Sequence, residues 1–220
     1  MMTSRPSYDW HNAQEYIEAL LPEDLRDLEA VGKVGANVPI QPTIGAGVAQ
    51  LVDVLILAAR PKRVLEIGTS AGYSAIAMGK ALRQIGGKLT TIEIDPRLAR
   101  AAGENIRDAG LDTVVEIVID DANHVIDDMK GPFGLILQDG SKDDYLQMLP
   151  RLMDLLEPYG MLVTDDVLLP VMDLPDEARR YQYALSLYND ALQNHPGLQT
   201  VWLPVGDGVA VSVKAARAER

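Results

Sequence analysis

Arg63-Val64-Leu65-Glu66-Ile67-Gly68-Thr69-Ser70-Ala71-Gly72 is an apolar run that breaks into a loop bounded by two glycines. Arg63 to Ile67 reads as a strand, and Gly72 to Ile85 as the helix that follows it. Lys88 to Glu93 is the next strand. Asp95-Pro96 then opens a helix to Ala109, with Asp as N-cap and Pro at the first helical position; Gly110 stops it. Further strands are expected at Thr113 to Ile119, Phe133 to Gln138 and Met161 to Thr164, with a helix between the last two running through Leu156. A long helix follows from about Asp173 to Asn194, ended by Pro196-Gly197. Gln199 to Leu203 and Val209 to Val213 flank Gly206-Asp207-Gly208 and read as an antiparallel hairpin. Repeated strand-then-helix units of this kind predict an α/β fold with a doubly wound, mostly parallel seven-stranded sheet and helices on both faces. Upstream, Ala13 to Val31 reads as two short helices broken at Leu21-Pro22, Gly32 to Thr43 as irregular, and Gly45 to Ala59 as a helix. These N-terminal helices, within about residues 1–60, are expected to cover the site.

The chain has 220 residues, enough for one well-buried core, and residues 1–220 are read as a single domain. No window approaches the apolar length of a membrane span. Met1 to Trp10 lacks the layout of a secretory signal. With no Cys, disulfides, thiolate catalysis and Cys-based zinc sites are excluded, and a cytoplasmic protein fits. The net charge of −12 and the absence of any Lys/Arg run argue against nucleic acid and anionic membranes as partners.

Parallel sheets bind ligands at the carboxyl ends of their strands, so chemistry is expected just after Ile67, Ile92, Ile119, Gln138 and Thr164. Gly68 and Gly72 permit a tight turn and close backbone approach to a ligand. Their spacing is not G-x-G-x-x-G and lacks the tight glycine pair that seats a pyrophosphate. Glu93 ends the second strand, at the interval where an acid grips ribose hydroxyls. Ribose without pyrophosphate describes S-adenosylmethionine; a purely structural turn is the plainer alternative. Glu66 reads either as a cofactor residue or as an acceptor for loop amides. Asp139 follows one strand and Asp165-Asp166 the next, so three carboxylates would converge on a hard cation such as Mg²⁺, Ca²⁺ or Mn²⁺, unless they cap helices or face water. Lys142, three residues after Asp139, stands where a cation opposes the helix dipole. Beside a divalent cation and a sulfonium its pKa would fall, making a general base. His11, His124 and His195 do not cluster and read as surface or helix-end residues. Tyr181, Tyr183 and Tyr188 read either as pocket lining or as helix packing.

Taken together, Val64 to Ser74, Thr90-Thr91-Ile92-Glu93-Ile94-Asp95-Pro96, Gln138-Asp139-Gly140-Ser141-Lys142-Asp143-Asp144-Tyr145 and Thr164-Asp165-Asp166-Val167 resemble the cation-dependent O-methyltransferases, the group of catechol and caffeoyl-CoA O-methyltransferases. Tyr16 to Leu20 and Pro204-Val205-Gly206-Asp207-Gly208 resemble its bacterial members. The resemblance implies a class I methyltransferase (Rossmann-like) fold, a homodimer, and O-methylation of a small vicinal-dihydroxy aromatic acceptor. It places Thr43, Glu66, Gly68, Ser70, Tyr73, Ser74, Glu93, Asp121, Ala122 and Asp139 at the cofactor. Asp139, Asp165 and Asp166 fall at the metal, and Lys142 with Asp139 at the catalytic positions.

Two positions depart from the family pattern. Asp165-Asp166 stands where the family has Asp-Asn, which adds a negative charge. Gly140-Ser141 stands where bulkier pairs are usual, between Asp139 and Lys142. These departures keep a metal-independent or non-catalytic cofactor-binding protein as the alternative. A nicotinamide-dependent oxidoreductase is disfavoured by the loop spacing.

Overall fold

The strand at Arg63–Ile67 (β1) lies inside a parallel sheet, between Lys88–Glu93 (β2) and Phe133–Gln138 (β4), in the computed structural model, which describes residues 10–22, 25 and 43–215. Val115–Ile119 (β3) pairs with β2, and Leu156–Thr164 (β5) with β4, all parallel. Leu198–Leu203 (β6) and Val209–Lys214 (β7) form the expected antiparallel hairpin, with β7 against β5. The seven-stranded order is β3-β2-β1-β4-β5-β7-β6. Strand order reverses between β1 and β4, the switch point where such sheets bind ligands. Register makes the location specific: Ile67 pairs with Gln138, and Gln138 with Thr164. Gly68, Asp139 and Asp165, the next residue on each strand, are therefore brought side by side.

The described helices are Trp10–Leu20 (α1), Gly45–Ala59 (α2), Tyr73–Ile85 (α3), Pro96–Asp108 (α4), Ala122–Asp128 (α5), Tyr145–Leu155 (α6) and Arg179–Gln193 (α7). Pleating divides the core into two layers. Val64, Leu135, Leu137 and Val163 pack with α2 and α3, while Leu65, Ile67, Ile136 and Leu162 pack with α6 and α7. Asp95 caps α4 by accepting the Arg97 amide, as its sequence position requires. No helix among the described residues is long and apolar enough to cross a membrane.

Four local expectations are corrected. β5 begins at Leu156 rather than Met161, because the turn-like Pro158-Tyr159-Gly160 is carried within the strand, Tyr159 with φ 63°. Lys142–Asp144 forms a 3₁₀ turn ahead of α6. The last long helix starts at Arg179, after a 3₁₀ turn at Asp176–Ala178, not at Asp173, since Pro175 holds extended backbone ahead of it. α5 was not foreseen; it has seven residues and buries Ile126 alone, too little periodicity to see. The expected helix toward Val31 and the irregular stretch from Gly32 lie, apart from Leu25 and Thr43, outside the described residues.

Candidate active site

Asp139, Asp165 and Asp166 each bring a carboxylate oxygen to within 4.8 Å of the others. The strand ends set this up: the Asp139 amide donates to Ile67 O (3.0 Å) and the Asp165 amide to Gln138 O (3.3 Å). Asp166 holds the left-handed conformation, φ 67°, which Asp and Asn tolerate better than other residues with a Cβ. The tip of the β6–β7 hairpin seats the loop after it. Val167 N donates to Gly208 O (3.1 Å) and Leu168 N to Asp207 O (3.0 Å). Gly208 has φ 93°, and a Cβ there would stand 2.8 Å from Leu168 N, so only glycine fits this approach.

Lys142 Nζ lies 3.0 Å from Asp139 Oδ1 and 2.7 Å from Asp166 Oδ2. Burial by itself would lower the lysine pKa, but attraction from Asp139, Tyr145 and Asp166 outweighs it and holds the ammonium well above its usual range. The fall anticipated for a base therefore does not occur with the acids alone around it. Burial also raises Asp139 to about 6; Lys142 opposes the rise and Asp166 adds to it. Asp165 is raised well above the usual carboxylate range by burial and then by Asp139 and Asp166. Its Oδ1 is buried without a hydrogen-bond partner. Asp207, half-buried nearby, is raised by burial and by Asp166. Crowded, desolvated carboxylates with an orphaned oxygen form a hard-oxygen donor set that a divalent cation fits.

The loop after β1 folds over the ends of β1 and β2. Glu93 Oε2 accepts the Ser70 amide (2.7 Å) and Oε1 the Asp95 amide (2.8 Å). The amide-binding role considered for Glu66 thus belongs to Glu93, because Glu66 points down into the core. Glu66 is fully buried, and neither of its carboxyl oxygens has a hydrogen-bond partner of good geometry. Burial pushes it up to about 8, although the Ser74 and Thr91 hydroxyls beside it pull the other way. Gly68, φ 96°, touches the next strand: a Cβ would meet Asp139 O at 2.5 Å. The loop after β1 and the acid cluster are consequently in backbone contact.

The remaining expected residues are placed as follows. Ser74 is buried on α3 beside Glu66. Tyr73 is buried too, and its hydroxyl donates to Leu25 O (3.2 Å), so it packs rather than lines open space. Thr43 stands half-buried at the bend before α2. Asp121 caps α5 by accepting the Asn123 amide (2.9 Å), and Ala122 follows it, half-buried, beyond the end of β3. Tyr183 is exposed, Tyr181 is half-buried with its hydroxyl accepting from Arg180, and Tyr188 is wholly buried. Sequence reasoning passed over Asn189 entirely and named Gln138 and Thr164 only as strand ends and within motifs. The available signal was a polar Gln138 closing the apolar run Phe133-Gly134-Leu135-Ile136-Leu137.

The sequence profile described as O-methyltransferase matches residues 18–215. Caffeoyl-CoA O-methyltransferase 2 of Petunia hybrida is 30% identical, over 86% of this chain and 83% of its own length. A catechol O-methyltransferase of Niastella koreensis is 35% identical, over 54% of this chain and 55% of its own. Among solved structures, the SAH-bound methyltransferase PaMTH1 of Podospora anserina superposes with a TM-score of 0.82 at 24% identity, over 98% of this chain and 100% of that one. That likeness speaks for the fold.

Proposed function

The chain belongs to the O-methyltransferase family, whose members are S-adenosylmethionine-dependent transferases, and on that premise we propose that it methylates one hydroxyl of a small vicinal-dihydroxy aromatic acceptor at a divalent cation. The observation that carries this reading is the convergence of Asp139, Asp165 and Asp166 with Lys142, in backbone contact with the Gly68 loop. The names of the Petunia and Niastella relatives support an aromatic diol as acceptor.

In this reading Asp139, Asp165 and Asp166 hold the cation, which is Mg²⁺, Ca²⁺ or Mn²⁺. Bound there, such an ion lowers the pKa of a chelated hydroxyl and fixes its direction. The chain's own residues do the rest. The Gly68–Gly72 loop, Ser74 at the start of α3 and Glu93 hold the methyl donor, with Glu93 on its ribose and Asp121 and Ala122 beside the adenine. Their task is alignment, since an in-line displacement depends on the placing of donor sulfur, methyl and acceptor oxygen. Lys142 Nζ takes the hydroxyl proton. To act as a base it must first give up the proton that Asp139 and Asp166 now hold on it, and a cation bound by the same acids would supply the positive charge that favours the neutral amine.

A second reading has its own observation. Lys142 already places a positive charge between Asp139 and Asp166, so the acids are partly neutralised without a metal, and a metal-independent transferase follows if the ammonium stays there. Turnover of catechol-type diols against matched monophenols, with and without added Mg²⁺, separates the two. The first reading expects diols alone to be methylated, and only with the ion. Equal use of monophenols without the ion would support the second.

A further inference from the structure

The acid cluster rests on two strand ends and a loop, and one buried hydroxyl joins the strand ends from behind. Tyr188, on α7, is fully buried. Its hydroxyl donates to Gln138 Oε1 (2.8 Å) and lies 2.8 Å from Thr164 Oγ1, which is left to act as donor. Gln138 immediately precedes Asp139, and Thr164 immediately precedes Asp165. The amide of Gln138 is itself oriented, because its Nε2 donates to Tyr145 O (3.3 Å) while the Tyr145 hydroxyl donates to Gln138 O (3.1 Å). Tyr145 follows the 3₁₀ turn that carries Lys142. The next residue of α7, Asn189, donates to Val167 O (2.8 Å), one residue beyond Asp166.

We propose that Tyr188 is a positioning residue for the cation site, its hydroxyl fixing the separation of the strand ends that carry Asp139 and Asp165. This rests on the cation reading given above. A buried polar network is costly unless its members are satisfied, and here the Tyr188 hydroxyl ties together Gln138 and Thr164, the residues directly before Asp139 and Asp165. Simple packing is the plainer role, since the Tyr188 ring meets Tyr145 edge-on at 5.3 Å. Tyr188→Phe separates the two roles, because it keeps the ring and removes only the hydroxyl.

The test is Mn²⁺ titration of metal-stripped protein, followed by calorimetry or by the free-ion electron spin resonance signal, with S-adenosylmethionine affinity measured alongside. Groups hydrogen-bonded directly to metal ligands typically contribute about 10–100-fold in affinity, and Tyr188 acts one residue away from them, so the low end of that range applies. Tyr188→Phe is expected to weaken Mn²⁺ binding by about tenfold and to leave cofactor affinity within about twofold. Thr164→Val, which removes the other arm, moves the same way and carries the test if the first variant does not fold. Leu192→Val loosens α7 without touching the network and should leave Mn²⁺ affinity unchanged. Equal Mn²⁺ affinity in Tyr188→Phe and wild type would overturn the proposal, as would an equal loss in Leu192→Val. A wild-type protein that binds no Mn²⁺ would overturn the cation reading and this inference with it, whereas wild-type binding unaltered in both network variants removes the inference alone.

Discussion

Replacing Glu66 by Gln should make the protein more stable at alkaline pH and change it little in acid. Glu66 is wholly buried on β1, and burial raises its carboxyl from 4.5 to about 8; Ser74 and Thr91 resist the rise, and Asp139 and Glu93 add to it. Between those two values the folded protein keeps a proton that the unfolded chain releases. Stability contributed by this group is therefore full below the unfolded value and is lost as pH rises toward the folded one. Each pH unit in the window costs about 1.4 kcal/mol, so the whole passage costs about 5 kcal/mol and the part from about pH 5.5 upward about 3 kcal/mol. Gln has nearly the same shape and does not titrate. Urea unfolding of both proteins at about pH 5.5, 7 and 8.5 isolates the effect, because other titrating groups cancel in the difference. Glu66→Gln should gain about 3 kcal/mol on wild type across that range. A difference that stays constant with pH would mean that the carboxyl is ionised or solvated in the fold, and would refute the reasoning. The point bears on function, since an ionised Glu66 would add negative charge beside Asp139 and Glu93.

Glu93→Ala should weaken S-adenosylmethionine binding by about 1.5–3 kcal/mol, the worth of a hydrogen bond to a charged group. It also releases the Ser70 and Asp95 amides that Glu93 holds, and calorimetry showing unchanged affinity would remove it from the site. Lys142→Ala should lower kcat by about 10²–10⁴-fold, the usual contribution of a general base, and Lys142→Arg should not restore it because guanidinium keeps its proton. A loss within a few-fold, with an unaltered pH–rate profile, would leave hydroxyl activation to the cation alone.

The placement of the site was legible because it follows from strand ends. β1, β2 and β4 run over the residues their apolar pattern marks, and register alone brings Gly68, Asp139 and Asp165 together. What escaped was set by tertiary contact. The start of β5 hides behind Pro158-Tyr159-Gly160, which keeps a turn-like backbone where the pairing with β4 skips from Leu156 to Met161. That Glu93 and not Glu66 binds the loop amides depends on which side chain is buried beneath the loop and which lies against it, and no spacing records that. The Gln138–Tyr188–Thr164 network joins residues as far as 50 apart, beyond any local pattern. The Asp at position 166 reads as a departure in sequence, yet the left-handed backbone there suits Asp as well as Asn.

The central claim is that three acids hold a divalent cation on which methyl transfer depends. Its most direct test is the rate of transfer from S-adenosylmethionine to a catechol by protein stripped with chelator, before and after Mg²⁺ is restored. The account predicts near-complete loss on stripping, recovery with Mg²⁺, and no recovery in Asp165→Ala. Full activity of the stripped wild-type protein in excess chelator would contradict it.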